Sequence, residues 1–470
     1  MGVEKYKKLS KNTVIFAAAN IGAKIINFLL VPLYTNVLSR AQYGTAELVL
    51  NCTNIIIPIA SLSISDALLR FGLDKEIDEN VVLKNSAIVL FFGSIICMAM
   101  TPIYSLYSGI GTWALWFSVL CVSQMIRNTL TLFAKTLQRN KLFAVDTVIY
   151  TFVLGISNII LLAILNAGVR GYFLSYILAN LFSIVFLGVK EKVVYRIIIS
   201  KYEKKVFSDM LKFCIPMIAN ALSWWIIHFS DRVMLEQMMT VEEVGLYSAA
   251  AKIPNIVSTF LAVFTQAWTI SSVLEYDDER DEKFYSNVFS FYLFSLSTMC
   301  SAFLLIVKPF MQVYVGANFT ASWIYVPLLI AATVFGAIAT FVGPIYSAAK
   351  KNVAATLTTV FGGCVNLVFN FFLIKRYGII GAVIATLIAS MTMGIVRLYD
   401  SRRFFRFKIN QRKLWVILIV IIIQSITVTA DICAPFISVL SLVIIIVANR
   451  DLYPIINRIF VNMIKARRNH

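Results

Sequence analysis

Histidine is almost missing: the 470 residues include two, His228 and the terminal His470, which removes most of the ligand and general-base chemistry of metal sites and catalytic triads. Charge is also scarce, at 14% of the chain, so no soluble domain of ordinary size fits between the apolar stretches. The seven cysteines (Cys52, Cys97, Cys121, Cys214, Cys300, Cys364, Cys433) occur singly, in or at the ends of hydrophobic segments and without CxxC spacing. That pattern gives no disulfide framework and no zinc site, and leaves them as small packing residues. With no Gly-rich phosphate motif either, the sequence is not that of an enzyme, and no cofactor or metal is expected.

What is abundant is apolar surface. Hydrophobic residues make up 59% of the chain, above the roughly 45–50% of soluble domains. Runs of 18 or more apolar residues recur from end to end, each long enough to cross about 30 Å of hydrocarbon as a helix. Helices are expected near residues 13–38, 44–70, 84–108, 112–138, 143–166, 169–189, 209–238, 244–272, 284–308, 321–347, 352–374, 378–399, 414–431 and 433–450. The fold class is all-α integral membrane, with about fourteen transmembrane helices. The first run is too long for a secretory signal and reads as a retained helix.

The net charge of +18 is not gathered on a soluble domain, so nucleic acid is not an expected partner. If the amino terminus is cytoplasmic, 33 Lys and Arg residues fall inside, and five (Arg40, Arg170, Lys308, Lys375, Arg376) fall outside. Basic loops resist translocation, so both termini are expected in the cytoplasm. The acidic segment at 275–283 weighs little in that rule.

The two longest basic segments, 190–212 and 397–413, punctuate the chain. Residues 1–190 read as an N-terminal six-helix lobe, 191–208 as a cytoplasmic amphipathic basic linker, and 209–399 as a C-terminal six-helix lobe. A basic loop at 400–413, helices thirteen and fourteen at 414–450, and a cytoplasmic tail at 451–470 follow. In the linker, Val193, Val194, Ile197 and Ile198 sit at helical spacing beside lysines, as in an interfacial helix on an anionic leaflet. Internal similarity supports two pseudo-symmetric lobes: GVRGYFLS from Gly168 resembles GIIGAVIA from Gly378, and LSRAQYG ending at Gly44 aligns with MMTVEEVG ending at Gly245. An even number of helices separates the copies, so the repeat is parallel, an architecture of alternating-access transporters.

Two stretches carry a family likeness. DRVMLEQMMTVEEVGLYSAAAKI from Asp231, and PLYTNVLSRAQYG from Pro32, resemble the seventh-to-eighth-helix signature and the first-loop motif of the polysaccharide-export (Wzx-type flippase) family. That family lies within the multidrug/oligosaccharidyl-lipid/polysaccharide exporter (MOP) superfamily. The resemblance implies fourteen helices in two lobes, a place in the bacterial cytoplasmic (inner) membrane, and translocation of undecaprenyl-diphosphate-linked oligosaccharide from the cytoplasmic to the outer face. The implied partners are the lipid-linked oligosaccharide, membrane lipids and polysaccharide assembly enzymes.

Independently of family, Lys24, Arg127, Arg232 and Lys252 lie well inside expected spans, where a lipid-facing Lys or Arg costs about 2.5–3.5 kcal/mol. Lys24 and Arg127 have no acid within one turn of their own helix, Lys252 has Ser248 and Asn255, and Arg232 has Glu236 at i+4. Either an acid on another helix pairs with them or they line a wet cavity; in the second case four bases suit a diphosphate. Glu47, Asp231 and His228 are candidates for ion coupling; a structural hydrogen bond is the simpler reading of the His228 and Asp231 pair. Asp66 and Arg70, at i and i+4, read as a helix-end pair. Tyr34, Tyr247 and Trp268 are candidates for stacking on sugar, against the ordinary alternative of core packing.

Rival readings remain open. A lipid II or teichoic-acid precursor flippase shares the same chemistry. A multidrug cation antiporter calls for exposed intramembrane carboxylates, whereas the isolated charges here are mainly basic. A membrane polysaccharide polymerase calls for a sizeable outside loop, which is absent from the sequence.

Overall fold

A computed structural model describes residues 22, 24–74, 76–278, 282–349, 351–403 and 408–450. The amino-terminal lysines, part of the acidic segment at 275–283, part of the basic loop at 400–413 and the tail lie outside the described residues. Helix occupies every expected stretch where it is described, and no strand occurs among the described residues. Helices α1 (Lys24–Val37), α2 (Arg40–Ala60), α3 (Ile64–Gly72), α4 (Glu79–Ala99), α5 (Thr101–Tyr104), α6 (Ala114–Thr136), α7 (Asn140–Asn158), α8 (Gly168–Lys190) and α9 (Val193–Ile199) come first. They are followed by α10 (Lys204–Met238), α11 (Val241–Asp278), α12 (Glu282–Tyr314), α13 (Val326–Ala348), α14 (Asn352–Tyr377), α15 (Ile379–Asp400), α16 (Gln411–Thr429) and α17 (Ala434–Ala448).

Among the described residues, nine helical segments are long and apolar enough to cross a membrane, or ten if the bent pair α2 and α3 is one span. The helices α10 and α11, of 35 and 38 residues, stand outside those nine and carry Asp231, Arg232 and Lys252. The chain divides by contact into two compact units, Met1–Ala249 with Val315–Phe319, and Ala250–Tyr314 with Thr320–His470.

In the first unit, local chemistry explains the first-loop motif. Ser39 caps α2: its hydroxyl accepts from the Gln42 amide at 3.2 Å, and the Gln42 side chain accepts from the Ser39 amide at 3.0 Å, a reciprocal capping box. Tyr43, next along, is fully buried and meets Phe319 edge-on at 5.6 Å. Pro58 lies in the last turn of α2, and the chain then bends by 59° into α3. Leu62 and Ser63 take left-handed φ values of 50° and 51° to make that break. Asp66 and Arg70 are both exposed on α3, and no ion pair joins them. The expected helix-end pair is therefore not formed, since two solvated side chains gain little from holding one geometry.

A hydrophobic core joins α3, α4, α6 and α10 through Leu68, Val82, Phe133 and Met210, and Val193 of α9 inserts into it. The repeated glycine motif has one backbone in both of its copies. Gly168 and Gly378 adopt φ values of +57° and +58°, each at the start of a helix, where a side chain is disfavoured. Three residues on, Gly171 and Gly381 press against the carbonyl oxygens of Leu161 and Leu373.

In the second unit, α14 and α15 pack together, and α13 lies against α15. The last helices are not an appendage, since α16 packs on α13 and α17 on α12. Gln424 of α16 donates to the Ser301 carbonyl at 3.0 Å. Lys308 of α12 pairs with Asp431 in the turn before α17 and sits 4.9 Å over the Trp323 ring.

Candidate functional site

Each intramembrane base has a different environment. Lys24 of α1 is exposed, and no hydrogen bond or ion pair to its ammonium occurs among the described residues. Arg127 of α6 lies 3.5 Å from the carboxylate of Asp146 on α7, donates to Ser183 of α8 at 3.1 Å, and covers the Tyr150 ring at 3.6 Å. Ser183 donates in turn to Asp146 at 2.5 Å. Asp146 is thus the counter-ion that intrahelical spacing did not supply for Arg127. The sequence held a signal for it, because Asp146 is the lone acid in the expected span 143–166, next in order to the helix bearing Arg127.

Arg232, 5% exposed, donates to Ser248 at 3.2 Å and lies 5.4 Å from the Tyr247 ring centroid. Its neighbour Asp231 accepts from the Tyr247 hydroxyl at 2.6 Å. The first turns of α11 therefore hold both residues of the Asp231–Arg232 pair. Glu236, expected to serve Arg232 along the helix, has its carboxylate engaged by Tyr107 at 2.9 Å and Ser108 at 2.8 Å. The side chain of His228 lies outside what the structure describes.

Glu47 is buried on α2 and accepts from the Tyr172 hydroxyl at 3.1 Å. Tyr172 meets Tyr34 edge-on at 4.9 Å and Tyr176 at 5.2 Å. The Tyr172 hydroxyl thus gives this buried carboxylate a hydrogen bond in place of water, and Tyr34 and Tyr176 pack against the Tyr172 ring.

Lys252 and Trp268 belong to the second unit. Lys252 is half-buried on α11. Trp268 donates its indole N–H to the Phe341 carbonyl at 2.8 Å and stacks on the Phe341 ring at 4.6 Å. Tyr34, Tyr247 and Trp268 are each 3% exposed, so in this conformation all three rings contact protein, as core residues do.

Arg397 was missed as an interior base because it opens a basic segment in the sequence. It lies in α15, 9% exposed, and donates to Thr358 at 2.9 Å, to the Ala355 carbonyl at 2.9 Å and to the Ala339 carbonyl at 3.3 Å. Its guanidinium also contacts Thr359. One planar fork of donors thereby ties α13, α14 and α15.

The comparisons with known proteins agree with this helical layout. The family model described as polysaccharide biosynthesis protein matches residues 9–272. No curated protein sequence matches the chain. Among solved structures, the chain is similar to the lipid II flippase MurJ in an inward closed conformation, with TM-score 0.70 and 14% identity over 95% of this chain and 100% of that one. It is also similar to an inward-facing multidrug resistance MATE family transporter of the MOP superfamily, with TM-score 0.67 and 17% identity over 82% and 97%. A third is a MOP superfamily transporter from Pyrococcus furiosus, whose binding pocket of reverse polarity suggests a different function, with TM-score 0.60 and 16% identity over 84% and 95%. At these identities the structures establish the fold, while the family model covers more than half of the sequence. The chain belongs to the polysaccharide biosynthesis protein family and has the fold seen in those flippase and transporter structures.

Proposed function

We propose that this transporter flips undecaprenyl-diphosphate-linked oligosaccharide across the bacterial cytoplasmic membrane, with both termini in the cytoplasm, alternating access between two six-helix lobes. The observation that carries the reading is Lys24: an exposed ammonium, with no ion pair among the described residues, on an apolar helix. A cation in that setting suits an anionic ligand, and a diphosphate accepts several charge-assisted hydrogen bonds.

Lys252 and Arg232 join Lys24 as the proposed diphosphate ligands. Arg127 is assigned a lesser share, because its guanidinium already faces Asp146. Glu47, with its tyrosine neighbours, is the coupling acid this reading favours; Asp231 is held by Tyr247. The sugars are assigned to polar and aromatic groups exposed in another conformation, and polysaccharide assembly enzymes are the proposed partners.

A lipid II or teichoic-acid precursor is the second reading. It is favoured by the coverage of the MurJ likeness, which extends over 95% of the chain where the MATE likenesses stop at 82–84%. Proteoliposomes loaded with fluorescent lipid-linked oligosaccharide or lipid II distinguish the two. Loss of flipping in Lys24→Ala and Lys252→Ala is expected for either substrate. Full activity of both variants at normal protein levels contradicts the cationic site itself.

A further inference from the structure

The first unit carries a second feature, separate from the intramembrane cations. A groove with a cavity volume of about 750 Å3 runs between α4, α6 and α8, lined by apolar side chains such as Phe91, Ile126, Leu130 and Val185, and α9 borders one end. Lys192 lines that same end. It has a left-handed φ of 49° immediately before α9 and its side chain is exposed.

The short helix α9 is anchored by Val193, which is buried in the core of the unit. Ile197 packs beside it, whereas Val194 and Ile198 stay largely uncovered, at 69% and 71% exposed. Exposed lysines at 190, 192, 201, 204 and 205 flank this face. A helix with an uncovered apolar face and a lysine border lies in a membrane interface. The nearby carboxylates are already used, since Glu191 faces Arg139 at 3.2 Å and Glu79 faces Arg196 at 3.7 Å. No ion pair reaches Lys190 or Lys192 among the described residues. An apolar slot thus ends at uncompensated ammonium groups, which is the charge pattern of an anionic lipid in negative relief.

We infer that this groove, together with Lys192, is a binding site for an anionic glycerophospholipid, with an acyl chain along the slot and the headgroup phosphate at the ammonium end. A zwitterionic lipid fills the slot equally well but brings its own cation to the lysines, so selectivity resides in the headgroup. The site is independent of the proposed substrate reading, because none of Lys24, Arg232 and Lys252 lines it.

Gly188 provides a clean test, since it lines the groove and a Cβ placed there meets no atom within 4 Å. Native mass spectrometry of the full-length chain in detergent, equilibrated with equal phosphatidylglycerol and phosphatidylcholine of matched chains, reads out occupancy. Wild-type protein is expected to retain phosphatidylglycerol preferentially. Gly188→Trp is expected to lose bound lipid of both kinds, and Gly188→Leu to lose part of it should tryptophan lower the melting temperature. Lys192→Gln is expected to cut the phosphatidylglycerol preference roughly fivefold, the effect of one surface cation beside an anionic lipid. Inorganic phosphate is expected to displace nothing. Equal retention of the two lipids, wild-type retention in the Gly188 and Lys192 variants, displacement by free phosphate, or preferential uptake of a polyprenyl phosphate each overturns the assignment.

Discussion

Gly44 of α2 and Gly245 of α11 lie against each other's helices reciprocally: a Cβ on Gly44 would strike the Val241 carbonyl oxygen, and a Cβ on Gly245 would strike that of Arg40. The two glycines end the aligned segments of the internal repeat, so equivalent positions meet as in a two-fold interface. Added volume here pushes on backbone, which has no rotamer with which to yield. Gly44→Ala and Gly245→Ala are each expected to cost about 1–3 kcal/mol, as overpacking does, and to lower the melting temperature in detergent. Unchanged melting in both variants removes this contact from the account.

The Arg127–Asp146 pair leads to a second expectation. Removing one member leaves a buried charge, which costs about 3–5 kcal/mol, whereas replacing both by apolar residues of similar size is close to neutral. Arg127→Met is therefore expected to melt well below wild type, and Arg127→Met with Asp146→Leu to recover most of the loss. A double variant as unstable as the two single losses combined contradicts the pairing.

The sequence showed the helical stretches because their signal is long and one-dimensional: apolar runs bounded by charge. It showed the repeat because Gly168 and Gly378 need the same left-handed backbone. It did not show that Asp146 serves Arg127, because that contact depends on how α6 and α7 face each other. It counted Arg397 with the basic segment it opens, at the end of an expected helix, whereas four acceptors on α13 and α14 bury its guanidinium. Nor did it show which rings pack in this conformation, because abundance of rings says nothing of their partners; Trp268 stacks on Phe341.

Arg397 gives a third test. Its acceptors are hydroxyls and carbonyls arranged for a fork, and an ammonium reaches fewer of them while keeping its charge. Arg397→Lys is accordingly expected to lose more thermal stability than Arg397→Met, in which no buried charge remains to be solvated. The reverse order contradicts the bonding described for α13, α14 and α15.

Topology is open to direct measurement. Basic residues are concentrated on one side of the expected spans, so a fluorescent protein fused after His470 is expected to fluoresce, and an alkaline phosphatase fusion there to be inactive. An active phosphatase fusion places the carboxyl terminus outside.

The central claim is that intramembrane cations recognise the diphosphate of a lipid-linked substrate. Equilibrium binding of undecaprenyl diphosphate against neutral undecaprenol tests it most directly, because the two ligands differ only in the group those cations are assigned to hold. Wild-type protein is expected to prefer the diphosphate, and Lys24→Ala with Lys252→Ala to reduce that preference roughly tenfold or more, the size of one lost hydrogen bond to a charged group. A preference that survives intact in the double variant contradicts the account.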